Sequence, residues 1–274
     1  MLQEEPSFIY KFLGEVPIPL LGQVDDLIGV AEAGYKSNQL NAYVNVKTAD
    51  KDLQFGSDKC KVMIVSKMKP HSFQTPDLTV DTWDIKHTSN GEINEEYKGK
   101  VHIKEEDSLM YLGYMLSKKG DNVENITHKR NKCLGTQKQI IHLIKPLGPY
   151  TFECALIYIK SLIRNSILYA AEAMCTVKET HYRALESIEE SVMVRVFRTL
   201  KSCPRHLMYL EVVLVPARYQ VHRQVLNYLH YILQQPKNSL LYRIFETMRI
   251  NPTKGDWASF AMGLIQKYEL KLNL

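Results

Sequence analysis

Ile18-Pro19-Leu20-Leu21-Gly22-Gln23-Val24-Asp25-Asp26-Leu27-Ile28-Gly29-Val30 is the stretch on which the reading of the fold turns. Two short apolar runs meet there at a pair of adjacent acids. Apolar runs bounded by a turn signal predict two buried strands, with Asp25 and Asp26 at the tip of a hairpin. Neighbouring carboxylates in a half-buried setting repel each other, which costs free energy unless positive charge compensates. A divalent cation is the usual compensation, and oxygen-only ligands favour Mg²⁺ or Mn²⁺ over zinc. In nucleotidyl transfer such a metal clamps the attacking and leaving oxygens. The competing reading is a polar hairpin turn, because Asp is common in turns. The acidic pair alone does not separate the two, so what surrounds it decides.

Upstream, residues 7–13 are apolar and aromatic, and residues 16–21 lead into the acidic hairpin. Downstream, Leu40, Val44, Val46 and Ala49 sit among polar residues over 35–53, an amphipathic helix pattern. Gln54-Phe55-Gly56-Ser57-Asp58 marks a turn, and Lys59-Cys60-Lys61 leads into a short strand at 62–65. Residues 69–104 are a polar excursion with strand segments at Leu78-Thr79-Val80 and Val101-His102-Ile103, and Trp83 reads as a local packing anchor. A second hairpin follows at Met110-Tyr111-Leu112-Gly113-Tyr114-Met115-Leu116, with a turn at 118–121. Beyond residue 121 the period changes. Segments 122–145, 151–175, 178–201 and 217–235 carry apolar residues at helical spacing, separated by prolines at 146, 149, 204, 216 and 236. Strands first and helices second predict an α+β fold, with one domain over 1–121 and a helical one over 122–274.

A chain of 274 residues can form one large domain or two smaller ones. Its 45% hydrophobic and 24% charged content is ordinary for a folded globular protein, and a net charge of +5 is compatible with a nucleic-acid partner. The five cysteines, Cys60, Cys133, Cys154, Cys175 and Cys203, are scattered and odd in number, which predicts buried thiols in a reducing compartment. The acidic opening Gln3-Glu4-Glu5-Pro6 does not read as a signal peptide. Lys160, Arg164 and Glu172 interrupt the most apolar later stretch, so a soluble, intracellular protein with no membrane partner is expected.

The ordered string Val24-Asp25-Asp26-Leu27, amphipathic helix, Leu53-Gln54-Phe55-Gly56, Lys59-Cys60, then Tyr111-Leu112-Gly113-Tyr114 resembles the second half of a reverse transcriptase palm. The remainder resembles the thumb region of non-LTR (LINE-type) retrotransposon polymerases, through Ile144-Lys145-Pro146-Leu147-Gly148-Pro149-Tyr150, Cys203-Pro204-Arg205-His206-Leu207 and Pro216-Ala217-Arg218-Tyr219. The similarity runs from about Tyr10 to Ser259. It implies an RNA-directed DNA polymerase using Mg²⁺ or Mn²⁺ and dNTPs on an RNA template paired with a DNA primer. Asp25 and Asp26 match the family's metal-binding acidic pair, of which the first member ligates the catalytic metals. Lys59 matches a lysine beside the incoming triphosphate, where it can protonate departing pyrophosphate. Leu112 and Gly113 match the hairpin that grips the primer.

The family also supplies, before the acidic hairpin, another metal-binding aspartate, a nucleotide-checking helix and a fingers subdomain. The residues ahead of Asp25 are too few to contain these, and two-metal chemistry needs carboxylates from both strands. The expectation is therefore a fragment or truncated gene model, inactive alone as a polymerase.

The helical half can still hold nucleic acid. Lys129, Arg130 and Lys132, continuing to Lys138, form one basic run. Arg205 with His206 belongs to a second, and Arg218, His222 and Arg223, with Tyr219 beside them, to a third. Lys and Arg side chains contact phosphates without reading sequence. Solvated faces of amphipathic helices give the same pattern, and Glu186, Glu189 and Glu190 favour that reading for the third helix. Cys203 and His206, or Cys133 and His128, lack the second pair that a structural zinc site requires. Tyr228 and Tyr231 sit at helical spacing beside Leu226, Leu229 and Ile232, which assigns them to the core. The alternative to a polymerase fragment is a non-catalytic nucleic-acid-binding or scaffold protein derived from such an element.

Overall fold

The computed structural model describes residues 10–12, 16–18, 21–23, 26–31, 34–49, 60–65, 78–87, 93–144, 151–174, 178–199, 202–253 and 255–271. The chain divides into two compact units, Met1–Gly120 and Asp121–Leu274, and the fold is α+β. The division falls where alternating strand patterns give way to helical spacing.

In the first unit, β1 (Tyr10–Phe12) pairs antiparallel with β2 (Val16–Ile18), and β3 (Leu21–Gln23) pairs antiparallel with β4 (Asp26–Ile28). The register of the second ladder sets Leu21 opposite Ile28 and Gln23 opposite Asp26. β4 is less buried than expected, since Leu27 is 47% exposed and Ile28 only half-buried. The helix α1 covers Gly34–Ala49, and Asn41 and Asn45 on it donate side-chain hydrogen bonds to the Thr79 carbonyl at 2.6 and 3.2 Å. The strand expected at 62–65 shrinks to β5 (Lys61–Val62), which pairs parallel with β8 (Lys104–Glu105). Val65 is 65% exposed, so the apolar run there is not a buried strand.

Within the polar excursion the described residues form one long antiparallel pair. Its arms are β6 (Thr79–His87) and β7 (Ile93–His102), antiparallel with a bulge at Thr82/Trp83. The last ladder joins β9 (Ser108–Tyr111) to β10 (Tyr114–Ser117). Among the described residues every ladder is two-stranded.

The helical unit opens with α2 (Val123–Ile144), on which Ile126, Cys133, Ile140 and Ile144 fall on one face and are buried. The second predicted helix is broken into α3 (Thr151–Tyr158), a π-helical turn at Ile159–Ile163, α4 (Arg164–Leu168) and a short 3₁₀ turn at Ala171–Ala173. Tyr169 leaves the helix with ψ 128° and Ala170 takes φ 51°, the left-handed conformation that ends helices. The third helix is α5 (Glu179–Val196), and Arg198 just beyond it has φ 55°.

Three further helices are α6 (Arg205–Glu211), α8 (Leu240–Ile250) and α9 (Trp257–Lys267), with α7 (Ala217–Leu233) between the first two. Prolines 204 and 216 stand at the N-caps of α6 and α7, outside the turns where a proline would break the ladder. The Ser239 hydroxyl accepts from Tyr242 N–H, and the Asp256 carboxylate accepts from Ser259 N–H, satisfying donors that a helix start leaves unpaired.

The core lies where α2, α5 and α7 pack, around Ile140, Leu185, Val192, Val221, Val225 and Leu229. Burying one leucine of this kind contributes about 1.5–3 kcal/mol. No helix among the described residues is long and apolar enough to cross a membrane.

Candidate functional site

The two hairpins that carry the resemblance are both present as antiparallel ladders. Asp26 opens β4 opposite Gln23, while Asp25 and Lys59 lie outside the described residues. Leu112 and Gly113 are the two central residues of the β9–β10 hairpin, between the paired Tyr111 and Tyr114. Their φ angles are 47° and 76°. Two positive φ values in a two-residue loop define a type I′ turn, whose twist matches the flanking strands. Gly113 meets that demand at no steric cost, whereas Leu112 is strained there and its side chain is half-buried. Among the described residues no group of three or more His, Cys, Asp or Glu side chains is arranged to hold a metal ion. The Cys60, Cys154 and Cys203 thiols are half-buried, and that of Cys133 is fully buried.

The six basic residues assigned to nucleic acid separate sharply by environment. Lys129 is only 3% exposed. Its Nζ donates to the Ile167 and Tyr169 carbonyls at 2.8 and 2.6 Å, so it satisfies the broken C-terminus of α4 from the neighbouring helix. Burial lowers its ammonium pKa to about 8 from the usual 10.5. A phosphate on the protein surface does not reach this amine, which corrects its assignment as a nucleic-acid-binding residue. The cause is register: Lys129 shares the buried face with Ile126, Cys133 and Ile140. Burial likewise raises the Cys133 thiol to about 11.

Arg218 is engaged by two carboxylates of α5. Its guanidinium lies 2.7 Å from Glu179 and 3.3 Å from Glu186, and 5.2 Å from the centre of the Tyr182 ring. The hydrogen bond from Arg218 holds the Glu179 carboxyl below its ordinary range. Arg205 is exposed but lies 3.1 Å from Glu190. Arg130, Lys132 and Arg223 are exposed, and among the described residues none of them makes an ion pair. Of the six assigned residues these three are open to an anionic ligand, and Lys138 on the same helix as Arg130 and Lys132 is exposed as well.

Two residues that the sequence reading set on basic or solvated helix faces, His222 and Glu189, are instead buried in polar clusters. In the first, His222 on α7 is 3% exposed, with Nε2 2.8 Å from the Tyr182 hydroxyl and Nδ1 2.6 Å from the Tyr268 hydroxyl. A neutral imidazole donates from one nitrogen and accepts at the other, so one tyrosine donates to the ring and the other accepts from it. Burial, with Lys267 and Arg218 nearby, lowers its pKa to about 4. In the second cluster Glu189 on α5 is fully buried. Arg164 Nε approaches it to 3.0 Å as an ion pair whose N–H is poorly aligned for a hydrogen bond, and the Tyr209 hydroxyl donates to it at 3.0 Å. Arg164 also donates to the Val215 carbonyl. Burial pushes the Glu189 carboxyl above its usual range against the pull of Arg164. A Glu at helical spacing inside an apolar stripe, as Glu189 is between Leu185 and Val192, was the signal for this cluster.

Tyr228 is half-buried and lines an apolar cleft of about 160 Å³ with Ile232, Leu241, Phe245, Met248 and Trp257. Tyr231, its neighbour at 6.2 Å, is 51% exposed and so is not a core residue.

Family models, curated proteins and solved structures were all compared with the chain, and none of them matches it.

Proposed function

We propose that the chain is part of a non-LTR retrotransposon reverse transcriptase, an RNA-directed DNA polymerase, and that its helical unit holds the RNA template paired with a DNA primer. The observation that carries the binding is the set of exposed cations without ion-pair partners among the described residues, Arg130 and Lys132 on α2 and Arg223 on α7. Supporting the polymerase class is the order of elements: acidic hairpin, helix, short strand, Leu112–Gly113 hairpin, then helices. In this reading Asp25 and Asp26 are metal-facing carboxylates, Lys59 stands by the triphosphate and the β9–β10 turn abuts the primer. Catalysis requires a further carboxylate from a second strand, and among the described residues no such group is arranged round a metal, so duplex binding without extension is the outcome this reading expects.

The test combines two measurements. Anisotropy of a labelled RNA–DNA duplex is followed over a salt series, and primer extension on an RNA template is assayed with Mg²⁺ or Mn²⁺. Binding that weakens steeply with salt and no extension are expected. Extension by the parent that vanishes in an Asp25→Asn, Asp26→Asn variant would overturn the claim of inactivity. Absence of duplex binding would remove the proposal altogether.

A further inference from the structure

Gly135 stands near the middle of α2, exposed, in a regular helical turn. A Cβ built on it would meet nothing within 4 Å, so no packing inside the protein demands glycine there. After proline, glycine is the poorest helix former, and an exposed mid-helix position is where that penalty is felt in full. Glycine also allows another backbone to approach the helix closely.

The residues around it say which kind of backbone. On a helix surface the neighbours of a position are those three and four residues away. For Gly135 these are Asn131, Lys132, Lys138 and Gln139, all exposed. Every one carries an N–H donor and none is a carboxylate. Neither lysine makes an ion pair among the described residues. The contrast within the unit is sharp, because α5 answers its neighbours' arginines with Glu179, Glu186, Glu189 and Glu190. A smooth centre ringed by donors and cations complements a polyanion that comes close along its length. It does not complement an apolar partner.

We propose that the outer face of α2 centred on Gly135 is the surface on which the sugar–phosphate backbone of the duplex lies, with Lys132 and Lys138 contacting phosphates on either side. This rests on the duplex-binding reading above and locates it.

The probe is a short labelled RNA–DNA duplex and the protein is the full chain. Gly135→Gln places a neutral side chain at the centre without altering charge. It is expected to leave the melting temperature unchanged or raised while weakening binding roughly tenfold. The Lys132→Gln, Lys138→Gln variant is expected to reduce the slope of log affinity against log salt by about 0.9 for each phosphate that is no longer neutralised. Unchanged affinity in Gly135→Gln together with an unchanged slope in the lysine variant overturns this inference and leaves duplex binding by the chain standing. No duplex binding by the parent overturns both. Competition for the same face by polyglutamate or by anionic phospholipid vesicles, as effective as unlabelled duplex, would overturn nucleic acid as the occupant.

Discussion

Replacing Glu189 with alanine isolates the largest electrostatic stake in the helical unit. Glu189 is fully buried, and the Arg164 side chain facing it is 12% exposed. Alanine leaves a guanidinium with no carboxylate, and removes the acceptor of the Tyr209 hydroxyl. Breaking a buried pair from one side costs about 3–5 kcal/mol, because the remaining charge stays out of water uncompensated. A unit of this size shifts by about 2–4 °C per kcal/mol, so a drop of roughly 6–20 °C is expected. Far-UV circular dichroism on heating reads it. The companion variant replaces both charges, Arg164→Met with Glu189→Met. It should lie within a few degrees of the parent or above it, since apolar isosteres remove the desolvation penalty with the pair. A Glu189→Ala loss of less than about 3 °C would show that the charge is not held away from water. A double variant as unstable as the single one would show that packing, not charge, is what Glu189 supplies.

Three other perturbations follow from the same structure. Lys129 has a pKa of about 8 folded against 10.5 in the open chain, so the unfolded state binds more protons between those values. Stability from this group is flat below pH 8 and rises above it, by up to about 3 kcal/mol. The parent should therefore gain on a Lys129→Met variant between pH 8 and 10 in paired denaturant titrations, and a constant gap would refute the shift. His222, held at about 4 against 6.5, acts with the same sign in a lower window: the unfolded chain takes up a proton as pH falls through 6.5, and stability present above that value is lost towards 4. A His222→Gln variant should show a shallower fall in melting temperature over that interval, whereas parallel curves would remove His222 as the titrating group. Leu112→Asn gives the type I′ turn its preferred Asn-Gly pair and should stabilise the hairpin by about 1 kcal/mol. Slower amide hydrogen exchange across Ser108–Tyr111 is the readout, and unchanged exchange would mean that Leu112 is not strained.

The sequence reveals long periodic helices and conceals short ones and charges in unusual places. The apolar residues Ile126, Cys133, Ile140 and Ile144 fall seven, seven and four apart, a spacing only a helix brings to one side, and α2 follows it closely. The helix read across 151–175 fails at Tyr169 because an amine from α2 satisfies the freed carbonyls, a contact between residues 38 and 40 positions apart that no local pattern contains. The same contact explains the misplacement of Lys129. In Lys129-Arg130-Asn131-Lys132 the residues look equivalent, yet only the first shares an angle with the apolar stripe. Arg218 needed pairing with Glu179 and Glu186 across two helices before its role could be seen. The short α6 and the helices α8 and α9 were not assigned from sequence, although Ser239 and Asp256 mark the starts of the latter two. At the acidic hairpin the ladder was legible in the two apolar runs, but its burial was not, because alternation reports a face and not what covers it.

Trp257 donates from its indole nitrogen to the Glu172 carbonyl at 2.7 Å and meets Tyr228 and Phe245 at ring distances of 5.4 and 6.3 Å. The chain has two tryptophans, and the other, Trp83, belongs to the first unit. Each half thus carries one tryptophan, which excitation beyond the tyrosine band reads selectively. A Trp83→Phe protein emits from the helical half alone, and subtracting its spectrum from that of the parent returns the signal of the other half. Following both emissions through one denaturation in the intact chain would reveal whether the halves lose their structure at a common midpoint or in succession, without cutting the polypeptide or attaching a dye.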